Sequence, residues 1–118
     1  AAGDHQFPEV TNEVAMRTVE GVVRGPAFDD NRFTDKIPMF EVNPAGSLEL
    51  GSVLTVWDNG GPFAPLGPQV PRAGTDPHPQ LMADPAVRKQ QSDYLQIDGK
   101  LVDPCPKGRG CHLASYPY

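Results

Sequence analysis

The chain has 118 residues, a length typical of one domain, and its 10 basic and 15 acidic side chains give a net charge of −5. The basic residues are scattered, which argues against a nucleic-acid or anionic-membrane surface, because both need clustered positive charge. No apolar run approaches the ~20 residues of a membrane span, and 14 prolines with 12 glycines indicate a small core with long irregular connections.

The first residues, Ala1-Ala2-Gly3-Asp4, are small and polar. Small residues at a mature N-terminus are typical of signal-peptidase cleavage, so we expect an extracytoplasmic protein, secreted or periplasmic. Removal of an initiator methionine before alanine is the alternative explanation. Residues 1–13 are polar and contain one proline, which predicts an extended arm.

Three strands are predicted before residue 58. Val14–Arg24 is rich in valine and interrupted by polar residues, which indicates a strand with a possible bulge at Gly21. Ile37–Val42 is the second strand, and the turn residues Asn43–Gly46 precede a third strand at Ser47–Trp57. We expect the second and third strands to form a hairpin across that turn.

The segment from Pro62 to Pro85 is rich in proline and favours polyproline or turn conformations, which supply no ladder hydrogen bonds. It is longer than most connections in compact domains, and long loops are commonly functional or mobile. At its end, Asp84-Pro85 is typical of a helix start, with aspartate as N-cap and proline in the first turn. Ala86–Ser92 is therefore predicted as a short helix.

Residues Tyr94–Asp103 predict a second hairpin, in which Asp98-Gly99 forms a type I′ turn between apolar flanks. Together these elements predict a mainly β fold, a small antiparallel barrel or sandwich. One short helix, the Pro/Gly-rich loop and extended termini complete the single domain expected over residues 1–118.

The two cysteines enclose five residues rich in glycine and proline, Cys105-Pro-Lys-Gly-Arg-Gly-Cys111. Such a loop can bend back to join the two sulfurs, and an exported chain favours an oxidised pair, so a disulfide is predicted. The spacing is not the Cys-x-x-Cys of a redox-active pair. Residues 104–118 are thus interpreted as a disulfide loop followed by a tail.

Catalytic and cofactor motifs are weak. Cys111-His112 ends like a c-type haem attachment, but its two cysteines are spaced too far apart. The histidines His5, His78 and His112 show no zinc spacing. One cluster of oxygen-bearing side chains could hold calcium, although its residues do not follow the ligand spacing of an EF-hand loop. The cluster consists of Asp29, Asp30, Asn31 and Asp35. Whether a metal binds there stays open. No catalytic residue or cofactor is assigned.

Several residues suit protein recognition. Lys107 and Arg109 lie in the cysteine loop, where closure would reduce the entropy lost on docking. Further candidates are apolar or aromatic side chains of the proline-rich segment and the tail: Phe63, Leu66, Val70, Tyr116 and Tyr118. The alternative is that the segment folds back onto its own domain as a lid.

The sequence therefore favours a non-enzymatic interaction protein with a protein partner, an accessory or structural subunit of an exported assembly. The other hypotheses are a small secreted enzyme with a polar site that carries no motif, and a ligand- or calcium-binding module.

Overall fold

The computed structural model describes residues 1–6, 9–29, 42–43, 52–62, 70 and 72–114. Over these residues the chain forms three helices and five short strands. In chain order they are α1 (Glu9–Thr18), β1 (Val22–Arg24), β2 (Val42–Asn43), β3 (Val53–Leu54), β4 (Trp57–Asp58), α2 (His78–Ala83), α3 (Pro85–Tyr94) and β5 (Cys111–His112).

The strands pair in parallel, not antiparallel. In the first sheet the order is β2-β1-β3, and Val23 lies opposite both Val42 and Leu54. In the second sheet Trp57 of β4 lies opposite Cys111 of β5. The predicted antiparallel barrel or sandwich is wrong: the described strands form no closed barrel, and each is two or three residues long. Valine-rich alternation indicates strand propensity, but it does not specify which strand is the neighbour.

The first half of the first predicted strand is helix. α1 covers the start of Val14–Arg24, and it also takes up the end of the predicted extended arm. The helix ends at Thr18. Glu20, two positions later, has a φ of 54° in the left-handed region, and Gly21 donates its backbone N–H to the Met16 carbonyl at 2.7 Å. This is the hydrogen-bond pattern of a Schellman C-cap. Only Val22–Arg24 remains as strand.

Neither predicted hairpin is present in the part of the chain described here. β1 lies between β2 and β3, so the described parts of the second and third predicted strands are not neighbours, and residues 37–41 and 44–51 lie outside the described residues. Residues 95–103 contain no strand. Gly99 donates its N–H to the Gln96 carbonyl at 2.9 Å, and a Cβ at Gly99 would lie 2.8 Å from the Asp93 carbonyl oxygen. Close approach to the end of α3, not a type I′ turn, explains this glycine.

The helix start predicted at Asp84-Pro85 is present. The Asp84 carboxylate accepts hydrogen bonds from the N–H groups of Ala86 at 2.8 Å and Val87 at 3.3 Å, and Pro85 begins α3. The last part of the proline-rich segment is helical, although polyproline or turn conformations were expected. α2 occupies His78–Ala83, and Pro77 before it is fully buried.

The core lies where α3 covers the second sheet. Its buried members are Trp57, Val87, Cys111 and Leu113. Leu81 of α2, Ala1 and Cys105 pack against them. Asp84 links this core to the chain after β5, because its second carboxylate oxygen accepts the Ala114 N–H at 2.8 Å.

The first six residues are fixed to the body of the fold. Ala2 donates its N–H to the Trp57 carbonyl at 2.8 Å. Asp4, which is buried, contacts the His78 ring at 2.8 Å, and Asp76 accepts hydrogen bonds from His5 and Gln6. The bond from the Gln6 side chain is the main reason why the pKa of Asp76 is lowered.

None of the helices in the described ranges combines the length and the apolar character needed to cross a bilayer.

Asp84→Ala should lower the free energy of unfolding by about 2 to 3 kcal/mol, because it removes an N-cap and leaves the Ala114 N–H without its acceptor. Asp93→Ala on the same helix is the matched control. Its exposed ion pair with Lys89 at 2.6 Å should contribute at most about 0.5 kcal/mol. Urea denaturation followed by circular dichroism measures both, and equal losses would contradict the role of Asp84.

Candidate functional site

The predicted disulfide is present. Cys105 and Cys111 are bonded, with their Cα atoms 5.2 Å apart. Cys111 is buried beside Trp57 in the second sheet, whereas Cys105 is half-buried at the edge of the core. The bridge therefore anchors the loop between them, which we call the basic loop (residues 105–111), directly to the core.

A tight turn forms the tip of the basic loop. Arg109 donates its N–H to the Pro106 carbonyl at 3.1 Å, which closes a four-residue turn. Gly108 occupies the third position with a φ of 75°, the conformation that type II turns require there. Lys107 and Gly108 are exposed at the apex. The turn thus presents the Lys107 side chain to solvent.

A buried arginine holds the base of the loop. Arg24, at the end of β1, is 2% exposed, and its guanidinium pairs with both carboxylate oxygens of Asp103 at 2.9 and 3.0 Å. The same guanidinium donates to the carbonyls of Pro106 and Arg109 on either side of the turn, and to the carbonyl of Pro26. The planar fork of arginine can serve this many acceptors at once, which an ammonium cannot.

Asp29 holds the C-terminal side of the basic loop. Its carboxylate accepts hydrogen bonds from the Arg109 side chain, from the Gly110 N–H at 2.7 Å and from the His112 ring at 2.9 Å. The bond from Arg109 is the main reason why the pKa of Asp29 falls to about 2 from 3.8; partial burial opposes the shift, and Gly110 and His112 add to it. Asp29 is therefore an anion that holds Arg109 at neutral pH.

Charge is distributed unevenly over the loop. Arg109 is 60% exposed but paired with Asp29, whereas Lys107 makes no ion pair with the residues the structure describes. Because the disulfide, Arg24 and Asp29 hold the loop from three sides, little backbone freedom remains to be lost on binding. The arrangement is suited to inserting a single cation into an acidic surface.

The same region brings together three groups that can ligate a metal, in Asp103, Cys105 and Cys111, whose candidate atoms lie within 4.8 Å of one another. Both sulfurs are in the disulfide, however, and a metal requires thiolates. The Asp103 carboxylate is also engaged by Arg24. These contacts favour a structural role for all three residues.

The remaining predicted residues are only partly brought together. Lys107 and Arg109 share the basic loop, and Val70 is half-buried elsewhere. Of the proposed calcium cluster, Asp29 binds Arg109, Gly110 and His112. The others lie outside the described residues: Asp30, Asn31, Asp35, Phe63, Leu66, Tyr116 and Tyr118. The calcium and anchor predictions for those residues stay predictions.

Sequence reasoning missed Arg24, Asp103 and the partners of Asp29. One signal was available: Arg24 is a charged residue that ends an apolar strand, Val22-Val23-Arg24, and buried charges need partners. Nothing in the sequence indicates that the partner is Asp103, 79 positions away.

No family model matches the chain, and it matches neither a curated protein nor a solved structure. The contacts of the basic loop are therefore the observations that bear on function.

Arg24→Lys should lower the free energy of unfolding by about 2 to 4 kcal/mol, although it keeps the charge, because lysine leaves buried acceptors unpaired. Arg17→Lys on exposed α1 is the control and should change stability by less than about 0.5 kcal/mol. Denaturant titration of both variants tests this. An Arg24→Lys variant as stable as its control would show that the multiple hydrogen bonds contribute nothing.

Asp29→Asn should lower the free energy of unfolding at neutral pH by about 1 kcal/mol, a value reduced by solvent screening. The pKa of Asp29 is lowered from 3.8 to about 2, so the stabilisation is present above the higher value and is lost as the pH falls toward the lower one. The difference between wild type and variant should therefore shrink across this interval in urea titrations. A difference independent of pH would contradict the assignment.

Proposed function

We propose that the chain is a non-enzymatic protein-interaction domain, an accessory or structural subunit of an assembly outside the cytoplasm. It binds its partner through the basic loop, with Lys107 as the charged anchor. The observation that carries this proposal is the contrast between the fixed base of the loop, held by Arg24 and Asp103, and its exposed cationic apex.

Preorganisation explains why such a loop is suited to binding. Ordering a flexible loop on a partner costs free energy, and a loop that is already ordered avoids most of that cost. In the basic loop, backbone carbonyls on both sides of the turn accept hydrogen bonds from one buried guanidinium. Lys107 needs only to fix its own side chain when it binds.

The partner surface should be acidic. Lys107 is a cation on a chain whose net charge is −5, so an acidic partner is attracted at the apex and repelled by much of the remaining surface. Electrostatic complementarity of this kind sets orientation and association rate more than affinity. Binding through Lys107 should consequently weaken as ionic strength rises.

The disulfide supports the proposed compartment. Disulfides persist in oxidising environments and are rare in reducing ones, so the bridge between Cys105 and Cys111 is compatible with a location outside the cytoplasm. The bridge is also part of the core, because Cys111 packs with Trp57 and Leu113. The loop and the core would therefore be assembled in the same compartment.

The end of the proline-rich segment is less suited to the proposed contact than the basic loop. Pro77 is fully buried, and Leu81 packs on the core. Asp84 directly follows α2 and is the N-cap of α3. Docking through Phe63 and Leu66 stays a prediction, independent of the basic loop.

Two histidine–aspartate pairs could suggest catalysis, but their partners favour a structural role. Asp4 and His78 join the first residues to the start of α2, and Asp29 and His112 join the chain after β1 to β5. Each pair connects segments more than 70 positions apart. Their positions support an assignment as cross-links within the fold.

Lys107→Glu should abolish or weaken partner binding at least tenfold without changing stability, because an exposed charge is reversed at the contact. Wild-type protein immobilised as bait in extract from the native source identifies the partner, and titration with the purified partner gives Kd for each variant. Arg17→Glu, which reverses an exposed charge on α1, is the matched control and should bind like wild type. Equal Kd values for Lys107→Glu and wild type would refute the loop as the contact.

A further inference from the structure

Two of the three restraints on the basic loop do not involve sulfur. The guanidinium of Arg24 donates to two carbonyls of the loop, and the carboxylate of Asp29 accepts one of its N–H groups at 2.7 Å. Cys111 is also held from outside the loop, because it pairs with Trp57 in the second sheet. None of these contacts requires the S–S bond, so they keep the backbones of Cys105 and Cys111 close together when that bond is opened.

A carboxylate lies beside the two sulfurs. One oxygen of Asp103 and the sulfurs of Cys105 and Cys111 all lie within 4.8 Å of one another. Tetrahedral zinc has Zn–S bonds of about 2.3 Å and holds its ligand atoms about 3.5 to 4 Å apart. Cα atoms at 5.2 Å allow two sulfurs to reach that separation by rotation of their side chains, once the bond between them is broken. The reduced chain thus presents two thiols and one carboxylate at the spacing of a metal site.

The charges at this place match those that a divalent cation requires. Two thiolates and the Asp103 carboxylate bring three negative charges, and a divalent cation together with the adjacent guanidinium of Arg24 brings three positive ones. Arg24 donates to both oxygens of Asp103, but an ionised carboxylate has about four lone-pair sites, so positions remain for a metal. Carboxylates that ligate a metal are commonly oriented by such hydrogen bonds. Arg24 is thus a positioning residue for Asp103.

The chain is synthesised with both cysteines as thiols, before any disulfide forms. We propose that in this reduced state Cys105, Cys111 and Asp103 bind one thiophilic divalent cation, for which zinc is the best match. Solvent supplies the fourth ligand, because the Asp103 side chain is 30% exposed and Cys105 is half-buried at the edge of the core. The cation and the disulfide exclude each other, since both use the same two sulfurs. This role is independent of the partner contact proposed for Lys107.

Two electrons separate the two states. A dithiol supplies two electrons and two protons, the S–S bond breaks, and both cysteines become thiols while the dithiol is oxidised to its own disulfide. The cation then displaces both thiol protons to solvent as the two metal–sulfur bonds form. The reverse step, in which an oxidised dithiol accepts the two electrons, joins the sulfurs again and releases the cation. Until that step the metal keeps the two thiols paired and protected.

Cobalt titration of the full chain tests the proposal, because Co²⁺ binds in zinc sites and thiolate ligands give it a charge-transfer absorption. The chain is reduced with a phosphine, since dithiols bind cobalt themselves, and it should bind one equivalent that zinc displaces. The oxidised chain is the matched control, because its sulfurs are blocked, and it should show no such absorption. The reduced chain in urea, whose thiols are not positioned, should bind at least about tenfold more weakly. No charge-transfer band in the reduced chain, or equal binding in urea, would overturn the proposal.

Substitution of single ligands tests the assigned set. Asp103→Asn should raise the Kd of the reduced chain for zinc at least about tenfold, because an amide is a weaker ligand than a carboxylate. Asp98→Asn, which changes an exposed acid of the same type, is the matched control and should bind like wild type. Cys105→Ser leaves the pair of Asp103 and Arg24 intact and should raise Kd at least about a hundredfold. Circular dichroism establishes folding, and unchanged zinc affinity in either folded ligand variant would contradict the assignment.

Discussion

The buried guanidinium of Arg24 is the interaction on which most of the described structure depends. It ends the central strand of the first sheet and donates to Asp103 and to the base of the basic loop. A charge that is 2% exposed is costly unless its partners are complete, so these acceptors must be in place whenever the chain is folded. The conformation of the loop is thereby coupled to the integrity of the first sheet.

Local signals predicted the features that depend on neighbouring residues. Asp84-Pro85 defines a helix start through contacts within three positions, and Cys105 and Cys111 are close enough in sequence for their intervening glycines to permit closure. The prediction of strand pairing was wrong because the pairing depends on residues that are distant in sequence. Val23 lies between Val42 and Leu54, and no local property of these residues encodes that parallel order. The antiparallel expectation came in part from the turn residues Asp98-Gly99, which lie in a described segment without strands.

Only the exposed residues of the candidate site were predicted from the sequence. Lys107 and Arg109 were identifiable because they lie inside the cysteine loop, whereas Asp29 contacts Arg109 and Gly110 of that loop from 80 and 81 positions away. The segment 94–103 shows a second limit, because alternating apolar residues there suggest a hairpin. The close approach of Gly99 to the end of α3 replaces the hairpin and leaves Ile97 and Leu95 at the surface.

The pairing of β4 with β5 has a consequence for how the chain reaches this structure. Trp57 finds its partner at Cys111, and the core is complete only when Leu113 is in place. Contacts between such distant positions require large loops to close before any stabilisation is gained, which slows folding. During synthesis the ribosome must release nearly the whole described chain before this core can close. Until then Trp57 and Val87 are exposed, so the nascent chain is most vulnerable to aggregation just before its last described strand emerges.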